Sequence, residues 1–318
     1  MLPANAATLF RAVLSNMATI AVSLTDKSFP RDGMMSGPPQ IFDRSLYARR
    51  RARAAGTDFL VQEAAAHLAE RIGAMNRAFQ NALDLSSREE SFVELKNAAE
   101  SWTRTALFPV AGRITADEEA LPFALASFDL VTSVLSLHAV NDLPGALIQI
   151  RRVLKPDGLF MAALFGGETL RELRQAFAVA ESEISGGVTP RVAPFADIRD
   201  LGALLQRVGF TLPVADLERT VVQYSGIPWL LHDLRALGET NVLSERSPRL
   251  LRRDVVEAML AHYLDRYSQP DGRLKATFDV VYLTGWAPHE SQQKPLAPGS
   301  ARIHLSDALR NREFPGTS

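Results

Sequence analysis

Asp84 closes the short apolar run Asn81–Leu85, and His138 follows the nearly continuous apolar run at 128–135. Both therefore stand where a strand of an open α/β sheet hands side chains to the ligand edge. A carboxylate there offers two acceptor oxygens, and an imidazole takes or gives a proton near neutral pH. His138 is accordingly the candidate catalytic residue, for handling a proton or orienting a substrate. Gly166-Gly167 permits close backbone approach or a tight turn, and Glu168 and Thr169 are expected to cap the helix that follows. His232 and His262 fit amphipathic helices and need no special role. The six histidines are scattered without i,i+4 pairs and there is no cysteine, so no metal site is expected. The turn Gly-x-Ser-x-Gly of serine hydrolases is absent.

The elements that must position these residues are legible from periodicity. Residues 40–75 read as helix, with Phe59, Leu60, Ala64, Leu68 and Ile72 on one face. Asp58 is the expected first-turn acid or cap. The cluster Arg49, Arg50, Arg51 and Arg53 reads as a solvated helix face, with a phosphate or acidic-protein contact as the sharper alternative. Strands are expected at 81–85, 106–110, 113–115 and 128–135. Asn141-Asp142-Leu-Pro144 opens a helix that stops at Lys155-Pro156-Asp157-Gly158, a turn signal before a strand at 158–165. Further helices are expected at 169–183, 198–208, 228–237 and 251–267, with strands at 212–224 and 278–286. This alternation implies right-handed crossovers and a doubly wound α/β sheet.

Composition narrows the classes. The chain has 318 residues, 47% of them hydrophobic and 22% charged, as in an ordinary globular protein. A formal net charge of -1 argues against nucleic acid as the main partner. No apolar run is long enough to span a bilayer. The lack of cysteine fits a reducing compartment. Residues 1–35 are expected to be a disordered extension, or mis-assigned sequence ahead of a start at Met34 or Met35. Their lack of acid before Asp26 faintly resembles an organelle-targeting segment. A domain at 36–290 is expected to carry the function, and 291–318 to form a loosely ordered tail.

Several blocks, in order, carry a resemblance: Ala116-Asp-Glu-Glu-Ala-Leu-Pro-Phe123, Ser127-Phe-Asp-Leu-Val131 and Leu154-Lys-Pro-Asp-Gly158. They resemble the middle of class I S-adenosylmethionine-dependent methyltransferases. More narrowly, Ser136-Leu-His-Ala-Val-Asn-Asp-Leu-Pro144, Phe165-Gly-Gly-Glu-Thr-Leu170 and Gly285-Trp-Ala-Pro-His-Glu-Ser-Gln292 are similar to one subfamily. It holds the methyltransferase-type assembly factors of respiratory complex I and their bacterial relatives, cousins of the malonyl-carrier-protein O-methyltransferases. The likeness spans roughly residues 41–308. It implies a Rossmann-like, seven-stranded methyltransferase sheet with N-terminal helices and helical insertions in the C-terminal half.

The resemblance also implies a cofactor, S-adenosyl-L-methionine, and positions for it. Asp84, Leu85 and Ser86 fall at the first-strand loop, Asp117 and Glu118 after strand three at the adenine position, and Ser133 on the central strand. The loop departs from the family's Asp-Leu-Gly-x-Gly-x-Gly. Here it reads Asp84-Leu85-Ser86-Ser87-Arg88-Glu89-Glu90-Ser91, with no glycine. The acid that receives the ribose hydroxyls at the end of strand two is missing. Ala139 stands where the family usually has tryptophan. His289 and Glu290, in the shared tail motif, are expected to fold over the cleft or bind a partner.

Two functions follow. One is methyl transfer to a protein or carrier-bound substrate, including a respiratory complex I subunit. The other is a non-catalytic binding or assembly factor that has lost the glycine-rich loop. A cleft for another nucleotide-like ligand is the third reading. The expected location is cytoplasmic in a bacterial-type cell, with the mitochondrial matrix as the alternative.

Overall fold

The apolar run at 128–135 forms β4 (Phe128–Val134), buried along nearly its whole length between parallel neighbours at the centre of a mixed sheet. A computed structural model of the chain describes residues 40–54 and 59–292. It divides into a unit ending at Pro288 and a second beginning at His289. Expectations for residues 1–35, for Asp58 and for most of the tail lie outside the described residues.

The other strands are β1 (Asn81–Leu85), β2 (Ser101–Ala106), β3 (Ile114–Thr115), β5 (Leu154–Phe165), β6 (Thr211–Tyr224) and β7 (Leu274–Trp286). They join in the order β3-β2-β1-β4-β5-β7-β6, with β7 antiparallel to both of its neighbours. Strand order reverses between β1 and β4, the switch point at which open α/β sheets receive ligands.

Eight helices among the described residues flank the sheet. They are α1 (Arg44–Arg53), α2 (Phe59–Gly73), α3 (Glu89–Leu95), α4 (Leu143–Val153), α5 (Arg171–Ser185), α6 (Ile198–Arg207), α7 (Ile227–Ala236) and α8 (Arg253–Tyr267). Alternation along β5 sorts the core into two layers. Leu159, Met161, Ala163 and Phe165 join α2, α5, α7 and α8, while Phe160, Ala162 and Leu164 join α4 and α6. The fold is the seven-stranded, doubly wound one expected, with α7 and α8 inserted between β6 and β7.

Four local expectations are corrected. The second strand lies at Ser101–Ala106, not 106–110; it is buried only at Thr105 and Ala106, and its polar first residues with Arg104 hid it. Helix α3 was not anticipated, because Arg88 and Glu89-Glu90 give no apolar period. The turn signal at 155–158 sits inside β5, where pairing slips from Phe128↔Leu154 to Leu130↔Leu159 and Asp157 takes a φ of +61°. Glu168 and Thr169 do not cap α5. Thr169 Oγ1 instead donates to the Asp279 carbonyl and accepts from the Asp279 N–H, both at 3.0 Å.

No described helix is long and apolar enough to cross a membrane.

Candidate functional site

Helix α1 is capped by Asp43, which accepts from Leu46 N at 2.8 Å. Seven residues separate Arg44 from Arg51, so both leave the same helix face, and that face meets the carboxyl edge of the sheet. Arg51 is therefore no solvated side chain: it is buried, and only Arg49 and Arg53 of the cluster are exposed. Its Nη2 donates to the Ser86 carbonyl at 3.0 Å and its Nη1 to the Leu135 carbonyl at 3.1 Å. One guanidinium thus bridges the ends of β1 and β4 across the switch point. Arg44 donates to Asp117 Oδ1 at 2.7 Å, to the Ala139 carbonyl at 3.0 Å and to Glu118. Burial works against the charge of Arg44, but Glu118 and Asp117 outweigh it and hold the guanidinium above its usual range. Tyr47 lies between the two arginines, each 5.6 Å from its ring centre.

The expected cofactor residues are brought to this edge and bonded there by the chain itself. Ser86 has a φ of +48°, the left-handed bend that favours glycine. Its hydroxyl and that of Ser136 both donate to Glu118 Oε1, and its N–H donates to Thr105 Oγ1 at 3.0 Å. Ser87 accepts from Arg104 Nε at 2.9 Å and, through its carbonyl, from Arg113. Asp117 also accepts from the Glu119 N–H at 3.0 Å. Leu85 and Ser133 are buried and paired in register on β1 and β4, and the Ser133 hydroxyl makes no hydrogen bond.

Asp84 is buried at the end of β1, where one oxygen accepts from Thr132 Oγ1 at 3.1 Å and Oδ2 makes no hydrogen bond. Burial pushes its carboxyl up to about 6, while the hydroxyls of Ser87 and Thr132 and the cations Arg104 and Arg113 pull the other way.

His138 sits in a short helical turn after β4, its ring 4.9 Å from Phe165 and 5.7 Å from Phe195. Its Nε2 meets Glu239 Oε2 at 3.0 Å, and Nδ1 is buried without a partner. Glu239 also accepts from Tyr47 Oη at 2.9 Å and has Arg51 and Arg88 at 3.8 and 3.7 Å. Burial favours the protonated carboxyl of Glu239, but His138, Arg51 and Arg88 outweigh it and hold it below the usual range. Sequence reasoning missed Glu239, Arg44 and Arg51. Glu239 lies 101 residues from His138 and Arg44 lies 74 from Glu118, and no local pattern announces either pair. No group of three or more potential metal-binding side chains gathers among the described residues.

Residues 63–162 match the family described as a methyltransferase domain. The zebrafish (Danio rerio) protein named arginine-hydroxylase NDUFAF5, mitochondrial, is 39% identical over 307 residues, covering 90% of this chain and 94% of that protein. The chain belongs to the NDUFAF5 family. The human member is 38% identical over 299 residues, 87% of this chain and 86% of that one. A malonyl-[acyl-carrier protein] O-methyltransferase from Laribacter hongkongensis is 41% identical over 186 residues, 58% of this chain and 60% of that enzyme. The chain is thus a methyltransferase-family protein, and S-adenosylmethionine is the cofactor of that family's domain.

As they stand, the family's cofactor positions do not fit that molecule. Ser86, Asp117 and Glu118 already serve Arg44, Arg51 and one another. Beyond β2 the chain runs Ala106-Leu107-Phe108, with no carboxylate for a ribose diol. At the adjoining loop the guanidinium groups of Arg104 and Arg113 hydrogen-bond to Ser87, and positive charge there opposes a sulfonium.

Proposed function

We propose that this NDUFAF5-family protein acts on a protein or carrier-bound substrate as an assembly factor for respiratory complex I, and that its methyltransferase fold binds without transferring a methyl group. The observation that supports this reading is the pair of α1 arginines, Arg44 and Arg51, hydrogen-bonded to Glu118, Asp117 and the Ser86 and Leu135 carbonyls. Loss of a charge-assisted ribose contact alone costs roughly 1.5–3 kcal/mol, or about ten- to a hundredfold in affinity. The body proposed for this role is 36–290, with 291–318 as a tail. The proposed location is the cytoplasm beside a bacterial-type respiratory chain, with the mitochondrial matrix as the alternative. The relatives named NDUFAF5 carry the word mitochondrial in their names.

Isothermal titration with S-adenosylmethionine and its demethylated product tests the reading. No heat up to millimolar ligand is expected. Micromolar binding of both would establish the second reading, methyl transfer, which the methyltransferase-domain match favours. In that case Asp84, Leu85, Ser86, Asp117, Glu118 and Ser133 would be the cofactor contacts. His138, held by Glu239, would be the group that handles a proton, and His138→Ala would lower turnover without changing cofactor affinity.

A further inference from the structure

The strand β6 (Thr211–Tyr224) ends the sheet and pairs on one side only, with β7. Tyr224 alone of its 14 residues is buried, whereas β7 beside it is buried almost throughout. In an antiparallel ladder alternate residues turn both main-chain groups to the partner strand, and the rest turn theirs away. The Thr277 and Asp279 carbonyls of β7 accept from the Leu170 and Gly166 N–H groups, on the β5 side. Phe278, Val280 and Tyr282 therefore face β6, where they pair with Thr220, Glu218 and Asp216. Leu217, Arg219 and Val221 are left with N–H and C=O groups aimed off the end of the sheet. No described strand pairs with that edge. The Leu217 N–H turns instead to Asp216 Oδ1, at 3.0 Å.

The two faces of this edge differ. On one, Leu217 and Val221 are 39% and 49% exposed. Arg219 between them is neutralised by Asp279 through bonds of 2.7 and 2.8 Å. On the other, Asp216 and Glu218 meet Arg71 and His67 from α2. Glu63 precedes His67 by one helical turn and shares that face of α2. Burial pushes the Tyr282 phenol up, and Glu218 and Glu63 add to the effect from the same side. Three carboxylates thus face one guanidinium and one imidazole.

We propose that β6 is a docking edge for an extended segment of a protein partner, a strand that alternates apolar and basic side chains. Its main chain continues the sheet through Leu217, Arg219 and Val221. Its apolar side chains cover Leu217 and Val221, and its cations answer Asp216, Glu218 and Glu63. A second copy of this chain fits less well. In antiparallel registers centred on Leu217, Glu218 or Arg219, Asp216 meets Glu218, Glu218 meets itself or Arg219 meets itself. Like charges directly opposite repel, and charges along an edge strand discourage self-pairing. The inference rests on the reading that this chain engages a protein, and it gives that partner a shape and a charge.

Fluorescence polarisation of the full chain with two synthetic strands tests it, one alternating valine with lysine and the other valine with glutamate. Saturable binding of the lysine strand is expected, about tenfold tighter than that of the glutamate strand. Val221→Pro should abolish it, because β7 does not use that N–H and an edge strand tolerates proline there. Combining Asp216→Asn with Glu218→Gln should bring the two affinities within about twofold, and this reports even where Val221→Pro fails to fold. Saturation by neither strand, or equal binding of both by the wild type, overturns the inference. So does binding that a folded Val221→Pro leaves unchanged. A concentration-dependent dimer that Val221→Pro dissociates also overturns it, and assigns the edge to a second copy. The S-adenosylmethionine titration is read separately, so failure here leaves the proposed function standing with its partner on another face.

Discussion

Glu239 and Glu172 are both largely buried acids, yet their surroundings are built from different materials. Glu172, on α5, accepts from the Thr277 N–H at 3.1 Å and from the Thr277 hydroxyl at 2.6 Å, with one cation, the neighbouring Arg171, at 3.4 Å. Around it the loop 166–170 is tied to β7 by further neutral donors, with Gly166 N–H to the Asp279 carbonyl and Leu170 N–H to the Thr277 carbonyl, both at 2.7 Å. Glu239 is instead met by Tyr47, His138, Arg51 and Arg88, long side chains from α1 and from two strand-end loops. Neutral backbone and hydroxyl donors belong to the frame itself. Guanidinium groups that reach across from a separate helix fill space at the edge where the fold receives ligands. The family-like block 165–170 is thus tied to β7, while the ligand edge of the sheet is held by charged side chains from distant elements.

Removing the charge of Glu239 should break the comparison most sharply. Glu239→Gln removes the carboxylate that His138, Arg51 and Arg88 share and should cost about 3 kcal/mol, read by urea unfolding at neutral pH. A loss no larger than that of Glu172→Gln would mean the two networks are equivalent. The next effect is a pH dependence of opposite sign at two acids. Asp84 is pushed up to about 6 in the folded chain, so folding favours its protonated form. Its contribution is fully present below its ordinary carboxylate range and is lost as pH rises through about 6. Asp84→Asn should therefore recover on the order of 2 kcal/mol above that pH and little below it. Glu239 runs the other way: held low, it stabilises above its ordinary range and loses that contribution as the medium is acidified through its folded value. A wild type and an Asp84→Asn variant with parallel stability curves would remove Asp84 from the account. Glu172→Gln should show the smallest effect, about 1–2 kcal/mol, since only one acceptor faces the wrong group.

The ligand edge was legible because β1, β4 and the 158–165 part of β5 are apolar runs, and burial on both faces leaves that mark in any sequence. The site residues were legible only as positions. Asp84, Ser86, Asp117, Glu118 and His138 all reach the carboxyl edge, but their partners come from far along the chain. Arg51 lies 84 residues from Leu135, and an arginine in a cationic helix carries no sign of which way it turns. The strand β2 was misplaced for a related reason: Arg104 looks like a break in an apolar strand, whereas its side chain leaves the sheet to grip Ser87.

The left-handed bend at Ser86 has a consequence for anyone who wishes to build on this scaffold. Ser86 keeps a bonded hydroxyl there while its main chain follows the curve that a glycine would follow. Widening this edge for a cofactor would therefore begin with no remodelling of the main chain at Ser86. The engineering task is subtraction: shortening the arginines that crowd the curve, and adding one acid beyond β2.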